Sequence, residues 1–398
     1  MPTTPAGRAP SRAGDRSRWR RLIDVVDERL GLDALRYPVP EHANNLAWSL
    51  GGLTAVSLLV LVATGIVLAQ FYDPTPEVAN ASVRTIVQDV PLGRFIRSLH
   101  FWTAQTMYVL AALHLIRVFF HGSFKRPREA NWLIGVSMFG LTLLAIFTGT
   151  VLKWDQEAYE ALGHNLELGT LLGGAGFWFS SSFAEHTPIL VRLYSAHIML
   201  IPVLLFVLVV VHALLIRRHK ISSHPALRDP GPRRTPDGDP DITPDLTPDL
   251  TSDLTSDLTS DMALPADETP KELSEPFTHH LRRVGALGLV LLGALTAVAV
   301  LFPPPVGSTP VAGVEVTKPL WPFWWMFTLE NWFGLPAILW GGLVFFVLLF
   351  AVPFLDRSPR RSWRTRPVAM AVGALLVVLL IVLTLLMAFT TPAAHLSM

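Results

Sequence analysis

The chain contains no cysteine. Disulfides, thiolate-held iron–sulfur clusters, thiolate zinc sites and haem attached through cysteine are thereby excluded, so a metal must be held by His, Met, Tyr or carboxylate ligands. Charge is scarce too: 16% of residues are Asp, Glu, Lys or Arg, against about a quarter in soluble proteins. The net charge of +1 lacks the concentrated basic excess of a nucleic-acid binder, and no nucleic-acid partner is expected. No cleavable signal peptide is visible either. Residues 1–46 carry Arg8, Arg12, Arg16, Arg18, Arg20 and Arg21 but no apolar core.

What the chain has in abundance is apolar sequence, 51% of its 398 residues. Seven apolar runs, each about 20 residues long, are sufficient to cross a bilayer as helices. They lie at about 47–71, 98–120, 132–153, 191–217, 284–303, 336–355 and 367–390. The expected fold class is an all-α polytopic membrane protein, a four-helix bundle followed by a three-helix C-terminal module. Ahead of the first span, residues 22–34 alternate apolar and charged positions at helical spacing. They predict an amphipathic helix lying on the membrane surface, with an ordinary solvated helix as the alternative. Between the fourth and fifth spans, residues 219–281 contain a tetrad repeat of Thr, Pro or Ser, Asp and Leu from Thr243 to Asp261. Such a composition cannot bury enough apolar surface to fold alone, so it predicts a disordered acidic linker. The expected domains are a 1–46 N-terminal segment, a 47–218 four-helix module, the 219–281 linker and a 282–398 three-helix module.

Basic residues in the short loops set the orientation. They cluster in the N-terminal segment, at Lys125, Arg126 and Arg128, at Arg217, Arg218 and Lys220, and at Arg357, Arg360, Arg361 and Arg364. Seven spans put all four clusters on one face, so a cytoplasmic N-terminus in a prokaryotic plasma membrane is expected.

Four histidines carry the chemistry. His100 and His114 lie 14 residues apart on the second span, which places them ~40° apart around the helix and ~21 Å apart along it. His197 and His212 lie 15 apart on the fourth span, ~60° and ~22 Å from each other. Spans two and four run in the same direction, so His100 can face His197 at one depth and His114 can face His212 at another. A planar macrocycle between two helices needs one imidazole from each side, and two matched pairs supply two bis-His haem irons. A lone intramembrane His would more simply be a hydrogen-bonded core residue or a proton relay. Gly51 and Gly65 repeat the 14-residue interval on span one, as do Gly135 and Gly149 on span three. Small residues there would let a wide ring approach the backbone, although they also serve plain helix packing. Arg97 and Arg117, each three residues from a ligand histidine, are candidates to neutralise haem propionates, with interfacial snorkelling as the alternative.

The segments DERLGLDAL (27–35), SLGGL (49–53), ATGIVLAQFYDP (63–74), RSLHFW (97–102), LHLIRVFFHGSFKRPREANW (113–132), TGTVLKWDQ (148–156) and RLYSAHIMLIP (192–202) carry a family resemblance. Over residues 22–222 the chain resembles cytochrome b of the quinol-oxidising cytochrome bc complexes, in the chloroplast-like branch where a four-helix cytochrome and a three-helix subunit IV are separate. Residues 282–391 resemble that subunit IV, most clearly at AVPFLDRSPRRSWRTRPVA (351–369), so the linker joins two normally separate subunits. The resemblance implies a di-haem subunit of a quinol:cytochrome c reductase. It implies membrane quinone as substrate, proton translocation, a Rieske-type iron–sulfur protein and a cytochrome c-type subunit as partners, and a homodimer within the complex. It implies that His100 and His197 bind the haem near the outer face and His114 and His212 the inner one, with Arg217 near the inner quinone site.

Three departures stand out. The cysteine that anchors an extra haem in that branch is Ser49 here, so no cysteine-linked haem is expected. The outer quinol site's Pro-Glu-Trp-Tyr motif aligns with Pro322, Phe323, Trp324 and Trp325, which puts an aromatic in the place of the proton-accepting Glu. The Pro before WDQ is Lys153. Asp155 and Glu330 are the candidate catalytic carboxylates that could replace the missing one. Trp154, Trp324 and Trp325 are candidates for the quinone pocket, against a bland role in the interfacial aromatic belt. Two other readings stay open: a di-haem electron-transfer subunit that oxidises no quinol itself, and a haem-free seven-helix transporter.

Overall fold

The computed structural model describes residues 38–40, 45–184, 186–222, 274–358 and 360–391. The surface helix expected at 22–34 and the repeat at 243–261 lie outside the described residues. Within them, seven helices are long and apolar enough to cross a membrane. These are α1 (Leu46–Ala69), α3 (Gly93–Phe120), α4 (Glu129–Val151), α6 (Ile189–His219), α7 (Phe277–Leu301), α9 (Pro336–Leu355) and α10 (Pro367–Phe389). Three shorter helices lie in the connections: α2 (Ala79–Gln88), α5 (Gln156–Leu171) and α8 (Trp324–Phe333). Most of the helices begin earlier than the apolar runs, by the widest margin at two places. α3 gains a polar first turn from Gly93, and α7 starts at Phe277 with Thr278, His279 and His280. A helix continues through polar residues that hydropathy does not count. Residues 274–281, placed in the linker by composition, are therefore ordered: strand β2 (Ser274–Pro276) pairs antiparallel with β1 (Pro38–Pro40), and α7 follows directly.

Local chemistry explains the element ends. Asn45 caps α1 by accepting from the Trp48 N–H, and Asp155 caps α5 by accepting from Ala158. Pro336 and Pro367 occupy first turns, where a missing N–H costs nothing. Hydroxyls inside the spans donate back to the carbonyl four residues earlier: Ser57 to Leu53, Thr142 to Met138, Thr150 to Ile146 and Thr384 to Leu380. In hydrocarbon an unpaired hydroxyl is costly, and this bond disposes of it within the helix. The outward faces carry Leu289, Val290, Phe206 and Leu375, all exposed, as a lipid-facing surface requires.

α1 packs along α3 and α4 along α6, while α7 lies against α1 and α3 and α9 against α4. At one end the α3–α4 and α9–α10 connections meet: Lys125 and Arg366 both bond Asp356, and Arg366 also reaches the Phe119 carbonyl. At the other end α2, α5 and the α7–α8 connection form a loop-rich layer. Arg84 bonds the Gly307 carbonyl there, and the Asp155 carboxylate accepts from the Gly307 N–H. Trp132 of α4 donates to the Leu349 carbonyl of α9. The C-terminal three spans thus attach to the first four at both ends.

Candidate functional site

α1, α3, α4 and α6 bring the four histidines and four glycines together pairwise. Each glycine sits against the edge of one imidazole: Gly65 against His100, Gly51 against His114, Gly149 against His197 and Gly135 against His212. A Cβ at Gly51 or Gly149 would lie 2.9 Å from the ring's Cε1 atom, closer than real contacts allow. These glycines fix the ring positions by leaving room for them.

His197 sits in a π-turn, Ala196–Leu200, where the Ile201 N–H reaches back five residues to the Ala196 carbonyl. Such a turn accommodates one extra residue. The 15-residue interval on α6 therefore matches the 14-residue interval on α3, and the ~60° offset expected from a regular helix is reduced.

The ring centroids of His100 and His197 are 6.3 Å apart, with 63° between the planes. An imidazole nitrogen bonds a metal at about 2.0–2.1 Å and lies about 1.1 Å from its ring centre, so two rings on opposite sides of one metal put their centroids roughly 6.3 Å apart. The tautomer fits as well. Thr64 Oγ1 donates to the Val60 carbonyl, so toward His100 Nδ1, 2.9 Å away, it can only accept. Thr148 does the same, donating to the Leu144 carbonyl and lying 2.9 Å from His197 Nδ1. Both rings therefore carry their proton on Nδ1 and present the Nε2 lone pair as a ligand. A cavity of about 410 Å³ surrounds this pair, lined by Gly65, Arg97, Gly149 and Leu320 among others. That is within the range of cofactor sites.

His114 and His212 lie on the same two spans at the other depth, and their buried Nδ1 atoms have no hydrogen-bond partner among the described residues. Beside them the Arg117 guanidinium stacks 3.2 Å above the Trp48 ring, and its buried Nε and Nη2 have no hydrogen-bond partner among the described residues. A buried cation with idle donors calls for an anion. Among the described residues no group of three or more His, Cys, Asp or Glu side chains could hold a bare metal ion. Two imidazoles at the His100–His197 pair, a cavity around them and, at the other depth, an unanswered guanidinium suit a metal that brings its own further ligands and carboxylates. The residues present fit a haem.

The remaining candidates are dispersed. Arg97 lines the cavity, but its guanidinium donates to the Pro304 and Pro305 carbonyls, tying α3 to the α7–α8 connection. Arg217 is exposed on α6. Trp154 packs against the buried cluster of Ala79, Val151, Leu162 and Leu190, a core role. Pro322 is buried, Trp324 donates to the Pro319 carbonyl, and Trp325 packs against Phe345 of α9; Phe323 ends the short turn before α8. Asp155 is saturated, its two oxygens accepting from Ala158 and Gly307 with Lys153 nearby, which makes it a structural cap. Glu330 is buried on α8, 3.1 Å from His164 Nε2.

Sequence reasoning overlooked Thr64, Thr148 and His164. The threonines had a signal, since each directly precedes a glycine that faces the same histidine. His164 had none, because its partners come from distant segments.

Comparisons with known proteins bear on the same residues. The cytochrome b/b6/petB family model matches residues 35–220. Cytochrome b6 of Heliobacterium mobile is 40% identical over 194 residues, 48% of this chain and 91% of that protein. The menaquinol:cytochrome c reductase cytochrome b subunit of Bacillus subtilis is 34% identical over 218 residues, 51% of this chain and 97% of that protein. A solved hyperthermophilic respiratory complex III chain is alike in fold, with a TM-score of 0.71 at 20% identity over 92% of this chain and 91% of that one.

Proposed function

The chain belongs to the cytochrome b/b6 family, and from that premise we propose that it is the di-haem subunit of a quinol:cytochrome c reductase, with His100 and His197 holding one b haem and His114 and His212 the other. The observation that carries the reading is the His100–His197 pair, at 6.3 Å with both Nδ1 atoms turned to threonine hydroxyls. Two haems so held would carry electrons across the bilayer between quinone sites at its two faces. The chain's own work is positional: glycines set the ring places, threonines set the tautomers, and Arg117 awaits a carboxylate. The remaining assignments follow from the same premise. The N-terminus and the basic connections lie on the cytoplasmic side of a prokaryotic plasma membrane, residues 47–218 and 282–398 form two modules joined by the linker, and Arg217 serves the inner quinone site. The partners are a Rieske-type protein, a cytochrome c-type subunit and a second copy of the chain.

Phe323 favours a second reading, in which the subunit relays electrons but oxidises no quinol. Quinol-driven haem reduction that outer-site inhibitors block supports the first reading; haem reduction only through a protein partner selects the second. Ligation is tested by His114→Ala and His212→Ala. Each should remove one haem from the spectrum and spare the other, and loss of both or of neither contradicts the pairing.

A further inference from the structure

His164 lies on α5, in the loop-rich layer outside the spans, and is buried between three other segments. Its Nδ1 is 2.8 Å from the Glu160 carbonyl, which can only accept, so Nδ1 carries a proton. Its Nε2 then faces two carboxylates, Glu330 Oε1 at 3.1 Å from α8 and Glu315 Oε1 at 3.5 Å from the α7–α8 connection. The side chains of His164, Glu330 and Glu315 are 8%, 2% and 9% exposed, so water does not screen them. Phe327 packs on the imidazole at 4.9 Å. A bare Nε2 lone pair against two carboxylate oxygens in such a place is repulsive. The group must hold a second proton, on Nε2 or on a carboxyl.

The neighbouring acids do not share this property. Glu160 is saturated, Oε1 accepting from Gln156 and the Val316 N–H and Oε2 from the Thr317 N–H and hydroxyl. Glu157 is held by Lys153 at 2.6 Å. Position matters too. Leu320, at the start of the turn that leads into α8, lines the cavity around His100 and His197. Glu330 is six residues along that helix from Trp324, ~9 Å of rise.

We propose that His164, Glu330 and Glu315 form a proton-loading site for quinol oxidation at the loop-rich end of the molecule, in place of the carboxylate that Phe323 displaces. The inference rests on the quinol-oxidising reading. Oxidation of one quinol to quinone breaks two O–H bonds and releases two protons and two electrons. One electron would go to an iron–sulfur protein and the other to the haem that His100 and His197 would hold. One proton leaves with the iron–sulfur protein, and the other passes to the His164–Glu330–Glu315 group and on to solvent. The carboxylates and the imidazole position that proton and need not touch the quinol.

The test uses the assembled complex in membranes. Glu330→Gln and His164→Gln should keep both haems in the dithionite-reduced spectrum and slow quinol-driven haem reduction roughly 10- to 100-fold at neutral pH, with the wild-type pH profile flattened. A second readout is independent of turnover. The wild type should show a pH-dependent infrared band of a protonated carboxyl or of imidazolium that is lost or shifted in Glu330→Gln or Glu315→Gln, and a wild type with neither band refutes the proton site. Variants that carry both haems and retain the wild-type rate and pH profile overturn the proposal, as does a titrating carboxyl or imidazolium band that persists unchanged in both glutamine variants. A wild type that reduces no haem with quinol sinks the underlying reading instead, and the infrared band then decides the proton site alone.

Discussion

Adding one methyl group at the four glycines should grade the damage to ligand geometry in an order the backbone fixes. An alanine Cβ would lie 2.9 Å from the imidazole at Gly51 and at Gly149, 3.3 Å at Gly65 and 3.9 Å at Gly135. Ordinary contact begins at 3.4 Å, so the His114 and His197 rings must retreat by about 0.5 Å, His100 hardly at all, and His212 not at all. Overpacking of this kind costs typically about 1–3 kcal/mol. At 1.4 kcal/mol per tenfold, that is roughly a 5- to 150-fold loss in haem retention. Alanine is also the better helix former by about 1 kcal/mol, so the spans themselves should not suffer. Redox difference spectra of purified protein give the haem content of each variant. Gly149→Ala should deplete or distort one haem and Gly51→Ala the other, with Gly65→Ala mild and Gly135→Ala silent. If Gly135→Ala is as harmful as Gly149→Ala, or if Gly51→Ala and Gly149→Ala affect the same haem, the pairing of glycines with histidines is wrong.

Thr148→Val or Thr64→Val removes the acceptor that makes its histidine a more basic ligand. The midpoint potential of the haem held by His100 and His197 should rise in a redox titration while the other stays put; a shift confined to the other haem refutes the tautomer argument. Asp356→Asn leaves Lys125 and Arg366, 4% and 2% exposed, without their shared anion, and should cost about 3–5 kcal/mol, read as a lower melting temperature. A chain split within 223–273 should still co-purify as two pieces, and the same substitution should weaken that association. Burial pulls the His164 pKa down, but Glu330, the Glu160 carbonyl and Glu315 pull harder and raise it above the ordinary value. A raised imidazole pKa stabilises the fold fully below about 6.5 and loses that stabilisation as pH climbs through the higher folded value. The melting-temperature gap between wild type and His164→Gln should therefore close on the alkaline side, and a gap that widens there contradicts the assignment.

The seven spans and the histidine and glycine intervals were legible because they are local. Apolar length reports a bilayer crossing, and residues 14 apart on one helix share a face whatever lies opposite. Polar first turns at Gly93 and Phe277 were invisible to hydropathy, and so were the short helices α2, α5 and α8. Side-chain partners were harder. Arg97 and Arg117 sit at equivalent places beside their histidines, yet Arg97 spends its guanidinium on two proline carbonyls while Arg117 keeps idle donors over Trp48. Asp155 and Glu330 were equal candidates, and one turned out to be a saturated helix cap.

By itself the sequence determined a membrane-spanning helical chain with four imidazoles at two depths and no thiolate to hold anything. Only the tertiary structure decided how close His100 comes to His197, that a π-turn brings the longer interval on α6 into step, and that His164 meets carboxylates more than 150 residues away. The division has one physical cause. Periodicity along a helix is written in consecutive residues, whereas the distance between two helices, and the charge that a buried nitrogen faces, depend on how all the helices pack at once.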